Sequence, residues 1–565
     1  MLPPLIDILR ESLRKEVIRL FPAVDFDPAT LTPATHERFG HYQYNGALAL
    51  ARPLARPPRE IAQAIMGAWR ENLPPCIGEI SLAGAGFVNI TLSSQYLGES
   101  LPGRILHPPM TLHPKKIIVE FSSPNIAKEL HVGHLRSTVI GESLARLMEG
   151  FGHEVVRLNH VGDWGTQFGM MIAHMQDRHP PLHPQSAGAM MALYREAKER
   201  FDSDSDFKRR AHEAVVSLQG KEPRVLAQWE EICALSRLEF EALYRRLNVS
   251  LLERGESAYA DLLPGVIADA ESKGLVTLSD GAKCLFMEGF KTQEGDPLPL
   301  IIQKRDGGYN YATTDLAAIK QRVFEEEAEE ILYVVDGGQR LHFAMVFSAA
   351  RALGYLPDGG CLAEHVPFGV VVGQDGKKFR TRSGKTERLS DLLDEGKRRA
   401  SALLMDREIE DREGTAEILA MNAIKYADLS SPRTQDYRFS YDHMLSFEGN
   451  TATYLLYSYV RIEGIKRRGG EMEPAPLRLE HPSEVSLALA LHQMDEALLL
   501  AIEERAPHRL AESLHQIAGR FHAFFRDCPV MGSPQEASRR WLCKLTQEAL
   551  ARGFTLLGLE VVTSM

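Results

Sequence analysis

The sequence predicts an α/β chain: a doubly wound domain with a parallel sheet in the middle, an α+β module before it and an all-α domain after it. Three observations carry this. A short run rich in β-branched residues, Ile117 to Phe121, is followed by a helical pattern and then by a second such run, Val155 to Leu158. Strand-like and helix-like segments keep alternating from about residue 115 to about 400, as a doubly wound domain requires. Beyond that the pattern is helical to the end, broken once by the linker GGEMEPAPLRLEHP. A chain of 565 residues exceeds one hydrophobic core. The expected domains are 1–110, 111–400 with an insertion over about 177–290, and 401–565.

In the first module, Ile6 to Leu20 reads as a helix with Leu9, Leu13, Val17 and Leu20 near one face. PPREIAQAIMGAW reads as a second helix, entered through Pro57 and Pro58. GAGFVNITLS alternates as a strand does. Between the helices, His41-Tyr42-Gln43-Tyr44-Asn45 reads as a polar, aromatic loop able to stack on and hydrogen-bond an unpaired base. The alternative is a plain surface turn. LPGRILHPPMTLHPKK, with its prolines, is the linker onward.

The central unit opens as strand, crossover helix, strand. The helix puts Leu135, Val139, Ile140, Leu144, Leu147 and Met148 on one face and stops at Gly150 and Gly152. Ligands of such sheets sit beyond the carboxyl ends of the strands, near helix N-termini. There the chain places His131, Gly133 and His134. Unpaired N–H groups at a helix start attract phosphate, and histidines at i and i+3 share the first turn. Gly133 leaves room for a flat base. The alternative is two histidines that only cap and pack. No P-loop pattern is present.

After a charged, mostly helical insertion, Leu298 to Ile302 reads as the strand on which the sheet resumes. Asp306-Gly307-Gly308 is a turn, and Tyr311 to Asp315 leads into a helix whose i, i+4 spacing puts both ends on one face. A carboxylate beside a phenol can grip a guanidinium, although an N-cap with a core tyrosine has the same pattern. FEEEAEE reads as an exposed acidic helix face. Ile331 to Val335 is another buried strand, emerging at Asp336, Gly337, Gly338 and Gln339.

SSPNIAK, HVGHLRST, NHVGDWGTQFG and YATTDLAA together resemble class I aminoacyl-tRNA synthetases, and within them the arginyl-tRNA synthetases. The resemblance implies a Rossmann-like catalytic domain, an N-terminal module that touches the tRNA D-loop and a helical anticodon-binding domain. It implies an arginine–tRNA ligase, which activates L-arginine with ATP to arginyl-adenylate and moves arginine to the 3′ end of its tRNA, releasing AMP and diphosphate. It assigns His131, Gly133 and His134 to ATP. It assigns Glu120, Ser123, Asn125, Tyr311, Asp315 and Gln339 to arginine, with Tyr311 and Asp315 on the guanidinium. It places the mobile KMSKS loop at Lys378-Phe379-Arg380-Thr381, lacking the second lysine, for which Lys128 before HVGH substitutes. Lys128, His131 and His134 are thus the expected catalytic groups, with Lys378 and Arg380 on the phosphates. A solvated basic hairpin is the alternative for that loop. Glu129 departs from the family, which commonly has a proline or small residue there. Tyr42, Gln43 and Asn45, and Tyr454, Tyr457 and the final Met565, are the expected tRNA contacts, although an aromatic stripe at helical spacing also suits a core. ATP is a substrate and brings Mg2+; no structural zinc is expected. The rival reading is a non-catalytic tRNA-binding paralogue.

Composition sets the remaining bounds. Hydrophobic content of 44% and charged content of 25% are those of an ordinary globular protein. No wholly apolar run of about 18 residues and no signal-peptide pattern is seen, so a cytoplasmic protein without membrane contact is expected. The six cysteines are far apart, which suits a reducing compartment. A net charge of −11 is unusual for a nucleic-acid binder, yet binding needs only a local basic face. A monomer is expected.

Overall fold

The computed structural model describes residues 3–24, 29–177, 187–373, 376, 379 and 388–565. At its centre lies a five-stranded sheet in the order Leu362–His365, Glu330–Tyr333, Lys116–Glu120, Glu154–Asn159, Leu252–Glu253, parallel throughout. The first two central strands and their crossover helix, Val132–Gly150, are those expected from the alternation of apolar runs. Register pairs Glu120 with both Tyr333 and Leu158. The segments that leave three strands, starting at Phe121, Val334 and His160, therefore emerge side by side at one edge.

The N-terminal module is α+β. Its antiparallel sheet runs Leu31–Pro33, Tyr42–Tyr44, Phe87–Leu92, Ile77–Ala83, and helices Leu5–Leu20 and Pro58–Arg70 contribute Leu9, Leu13, Ile61 and Ile65 to its core. Tyr42 to Tyr44 is thus a strand rather than a loop or a turn. Alternation turns Tyr42 and Tyr44 into the core and Gln43 to the other face.

Two further readings are corrected. Pro297–Gln303 is a strand, but it belongs to a separate three-stranded antiparallel sheet with Val276–Ser279 and Ala282–Lys291, not to the parallel sheet. An apolar run reports burial without naming its partner. The acidic stretch is not a helix face: the helix Tyr311–Phe324 ends before it, and Glu326 pairs with Arg254.

The C-terminal region is all helical after Leu389–Leu403, apart from Tyr437–Arg438, which pairs with Val371–Val372. Helix Pro482–Glu503 is long and apolar enough, by length and composition alone, to cross a membrane. Here Leu487, Leu491, Met494 and Leu498 are buried in the core it forms with helix His508–Asp527. The same helix receives the N-terminal module. Arg104 pairs with Asp495 at 2.9 Å, both fully buried, the Tyr42 hydroxyl donates to Glu496 at 2.6 Å, and the His492 Nε2 and the Leu97 carbonyl are 3.0 Å apart.

Candidate active site

At the carboxyl edge of the parallel sheet is a cavity of about 540 Å3 lined by Ser122, Ser123, Asn125, His131, Gly133 and His134, with Asp336, Gln339 and Phe379 opposite. Its floor is the start of helix Val132–Gly150. His131 is the N-cap, and its Nδ1 accepts from the Gly133 N–H at 3.0 Å. The His131 N–H in turn donates to His134 Nδ1 at 3.1 Å, closing a reciprocal capping box. The two ring centroids are 4.1 Å apart. A neutral imidazole whose Nδ1 accepts carries its hydrogen on Nε2. At His134 capping and phosphate binding therefore do not compete: the ring holds the backbone with one nitrogen and carries its hydrogen on the other. Burial, then the charges of His131 and Lys128, hold His134 down at about 3, so it is neutral at physiological pH. Gly133 has a reason that spacing does not reveal, since a Cβ there would lie 2.8 Å from His131 Cε1.

The turn between strand and helix is strained. Ser122, Ser123 and Ala127 have φ of 68°, 45° and 63°, in the left-handed region that non-glycine residues seldom occupy. Ser123 N–H donates to Asn159 Oδ1 at 3.0 Å, while its hydroxyl is buried at the cavity with no hydrogen-bond partner among the described residues. Such an orphaned group suits a ligand. Asn125 is exposed and bridges to Gly162. Gln339 lies on the exposed turn Gly337–Gln339 across the cavity.

The remaining expected arginine contacts lie outside that lining. Tyr311 is 70% exposed at the first turn of its helix. Asp315, one turn on, is held by His342 Nε2 at 2.6 Å, and that contact raises the His342 pKa against the opposing effect of burial. Glu120 is buried with its Oε2 2.6 Å from Nη2 of Arg322, which is 0% exposed and packs against Tyr259 and Tyr333. Glu120 thus already answers an internal guanidinium. One carboxylate escaped the sequence reading. Glu256 is pushed up to about 8 by burial and then by Asp163 and Asp315, so a third acid faces the same region. It stands in ERGESAYAD, inside a charged insertion where acids read as solvated, and no local pattern marks it.

Lys128 is exposed beside the histidines. The odd Glu129 has a partner: Arg388 Nη2 lies 2.9 Å from it, and Leu389 N–H donates to the Leu130 carbonyl at 2.9 Å. Lys378 and Arg380 lie outside the described residues. Phe379 packs at a tilt of 49° against Phe439, centroids 5.0 Å apart. Arg136, unforeseen, is fully buried on the histidine helix and pairs with Asp428 at 3.0 Å, tying that helix to the C-terminal region.

Of the expected tRNA contacts, Tyr42 is 0% exposed with its hydroxyl on Glu496, so its ring is core and cannot stack on a base here. Gln43 donates to Asn89 Oδ1 at 2.8 Å and Asn45 is half-buried. Tyr454 packs against His515 and His522. The Tyr457 hydroxyl accepts from Arg461 at 2.6 Å while the guanidinium covers its ring at 4.6 Å. Met565 is half-buried against the helical core.

Comparison with known proteins agrees with this layout. Residues 102–441 match the family described as tRNA synthetases class I (R), catalytic domain; residues 7–92 match the arginyl tRNA synthetase N terminal domain, and 455–565 the DALR anticodon binding domain. The chain is 46% identical to the arginine–tRNA ligase of Protochlamydia amoebophila, covering 99% of this chain and 100% of that one. It is 46% identical to that of Synechococcus elongatus over 95% of each. Its fold superposes on the arginyl-tRNA synthetase of Plasmodium falciparum with a TM-score of 0.87 at 30% identity, each chain covered in full. On that of Thermus thermophilus the TM-score is 0.83 at 26% identity, with 99% and 100% covered. With all three domains in sequence order and the paired histidines at the strand-to-helix edge, the chain belongs to the class I arginyl-tRNA synthetases.

Proposed function

We infer that this protein is an arginine–tRNA ligase, and the observation that carries the inference is the cavity in which the reciprocally capping pair His131 and His134 shares a lining with Ser123, Asn125 and Gln339. In the first half-reaction the arginine carboxylate attacks the α-phosphate of ATP, forming arginyl-adenylate and releasing diphosphate. In the second, the terminal ribose hydroxyl of the tRNA takes the arginyl group and AMP leaves. Adenylate formation asks little of a protein base, so the residues act by positioning and by neutralising charge.

In this reading the Nε2–H groups of His131 and His134 donate to ATP phosphates, and Lys128 adds a positive charge from the same end of the helix. Lys378 and Arg380 neutralise phosphate charge, and magnesium arrives with ATP. Ser123, Asn125 and Gln339 hold the α-amino and carboxyl end of arginine. Tyr311, Asp315 and Glu256 take the guanidinium. Lysine is a point charge, and a planar set of acceptors suits it poorly. Glu120 is kept as an indirect contributor, through Arg322. Tyr454, Tyr457 and Met565 face the anticodon, and Gln43 and Asn45 the D-loop.

The test is arginine-dependent exchange between ATP and pyrophosphate, with and without tRNA, with lysine as the control amino acid. Exchange with arginine alone among the two supports the reading. Folded protein that binds tRNA and gives no exchange in any mixture would refute it in favour of a non-catalytic tRNA-binding paralogue.

A further inference from the structure

We propose that Tyr244 is a positioning residue for the amino-acid end of the site, and that its helix, Pro223–Arg246, ties that site to the C-terminal tail. The proposal rests on the reading of Ser123 and Asn125 as arginine contacts. Its starting point is the strained loop 122–127, whose left-handed serines and alanine persist only if the surroundings hold them. One helix of the insertion supplies the hold at both ends. The Tyr244 hydroxyl lies 2.7 Å from Ser122 Oγ and accepts from Asn159 Nδ2 at 3.3 Å. Asn159 Oδ1 accepts from the Ser123 N–H. A single phenol thus fixes the side chain of the first left-handed residue and orients the amide that holds the backbone of the second. Two turns earlier, Ser236 Oγ accepts from the Ala127 N–H at 3.0 Å. Tyr244 and Ser236 are both buried, so water does not compete.

The C-terminal end of the same helix, just past Tyr244, is fastened to the far domain. One residue past it, the Leu247 carbonyl accepts from Lys425 Nζ at 2.9 Å. Lys425 is 2% exposed and also donates to the Gly558 carbonyl, in the tail beyond the last helix. Beside it Asn422 clasps Glu560 twice, at 2.7 and 3.0 Å. Less than one helical turn separates Tyr244 from Leu247. A displacement of residues 558–560, the segment that leads to Met565, therefore acts on the helix end that positions Tyr244, and through it on the serine turn. A double-mutant cycle measures that coupling.

The experiment uses the full chain, tRNA present throughout, with pyrophosphate exchange measured against arginine and against ATP for wild type, Tyr244→Phe, Lys425→Met and the double variant. Tyr244→Phe is expected to raise the KM for arginine about tenfold, the effect of leaving buried partners unpaired, with the KM for ATP unchanged. Lys425→Met is expected to move the same parameter in the same direction, and the double variant to be no worse than the more severe single one. A purely structural role would lower activity without separating the two KM values. Tyr244→Phe with a wild-type arginine KM overturns the proposal, and so does full additivity. Should Lys425→Met not fold, Ser236→Ala takes its place in a cycle on the two ends of the loop, where additivity overturns the shared hold. No arginine-dependent exchange by wild type would refute the functional reading itself, and the proposal with it.

Discussion

Replacing Glu120 by Gln separates two roles for the same carboxylate. As a substrate contact it would set arginine affinity. As the counter-ion of Arg322 it would set stability, and the structure favours this. Arg322 is 0% exposed, its contact with Glu120 is 2.6 Å, and its Nε and Nη1 are buried with no hydrogen-bond partner among the described residues. Removing the charge from one member of a buried pair costs about 3–5 kcal/mol, because the other is left buried and uncompensated. At roughly 2 °C per kcal/mol for a large domain, the first unfolding transition should fall by about 6–10 °C. Glu120→Gln/Arg322→Met should recover part of that loss, since no charge is then stranded. Scanning calorimetry measures the transition, and pyrophosphate exchange at a temperature where all variants are folded measures arginine KM. Glu120→Gln with an unchanged transition and a raised arginine KM would refute the counter-ion argument and return Glu120 to the substrate.

Other consequences are equally concrete. His134→Ala should cost about 2–4 kcal/mol of transition-state stabilisation in exchange turnover, with arginine binding by calorimetry little changed; equal losses in both would mean the ring only builds the helix start. Arginine stays cationic across neutral pH, whereas Glu256 is protonated below about 8 and His342 carries a charge up to a raised pKa on Asp315. Both protons oppose the guanidinium, so arginine KM should fall as pH rises through neutrality towards 8. Glu256→Gln should remove the upper part of that fall, and a pH-independent wild-type KM would exclude these carboxylates from the pocket. Tyr42→Phe should lower stability by about 1–3 kcal/mol through the hydrogen bond lost to buried Glu496, which keeps the Ile6 N–H, leaving tRNA KM unchanged; a raised tRNA KM at full stability would make Tyr42 a base contact after all.

What could be read in the linear chain was local or periodic. The β-branched run from Ile117, the helix after it, the helix Tyr311–Phe324 and the helical C-terminal region all follow from spacings of two and 3.6 residues, which a few neighbours determine. His131, Gly133 and His134 were legible because one helix start presents all three together. Where partners are distant in sequence, only the folded chain could decide. Pro297–Gln303 is as apolar as a strand of the parallel sheet, yet it pairs in another sheet, since hydrophobicity carries no address. Tyr42 has the composition of a base reader and the position of a core residue, because alternation turns it inward toward a glutamate 454 positions away. Glu120 has the place of a substrate ligand and is answered by Arg322 from the helix Tyr311–Phe324, far on in the sequence. Glu256 and Tyr244 lie in an insertion whose charges look solvated, and gain their surroundings only when it packs against the strand ends. Electrostatics and hydrogen bonding act through space over a few ångströms, so the ionisation and pairing of these groups are properties of the tertiary fold.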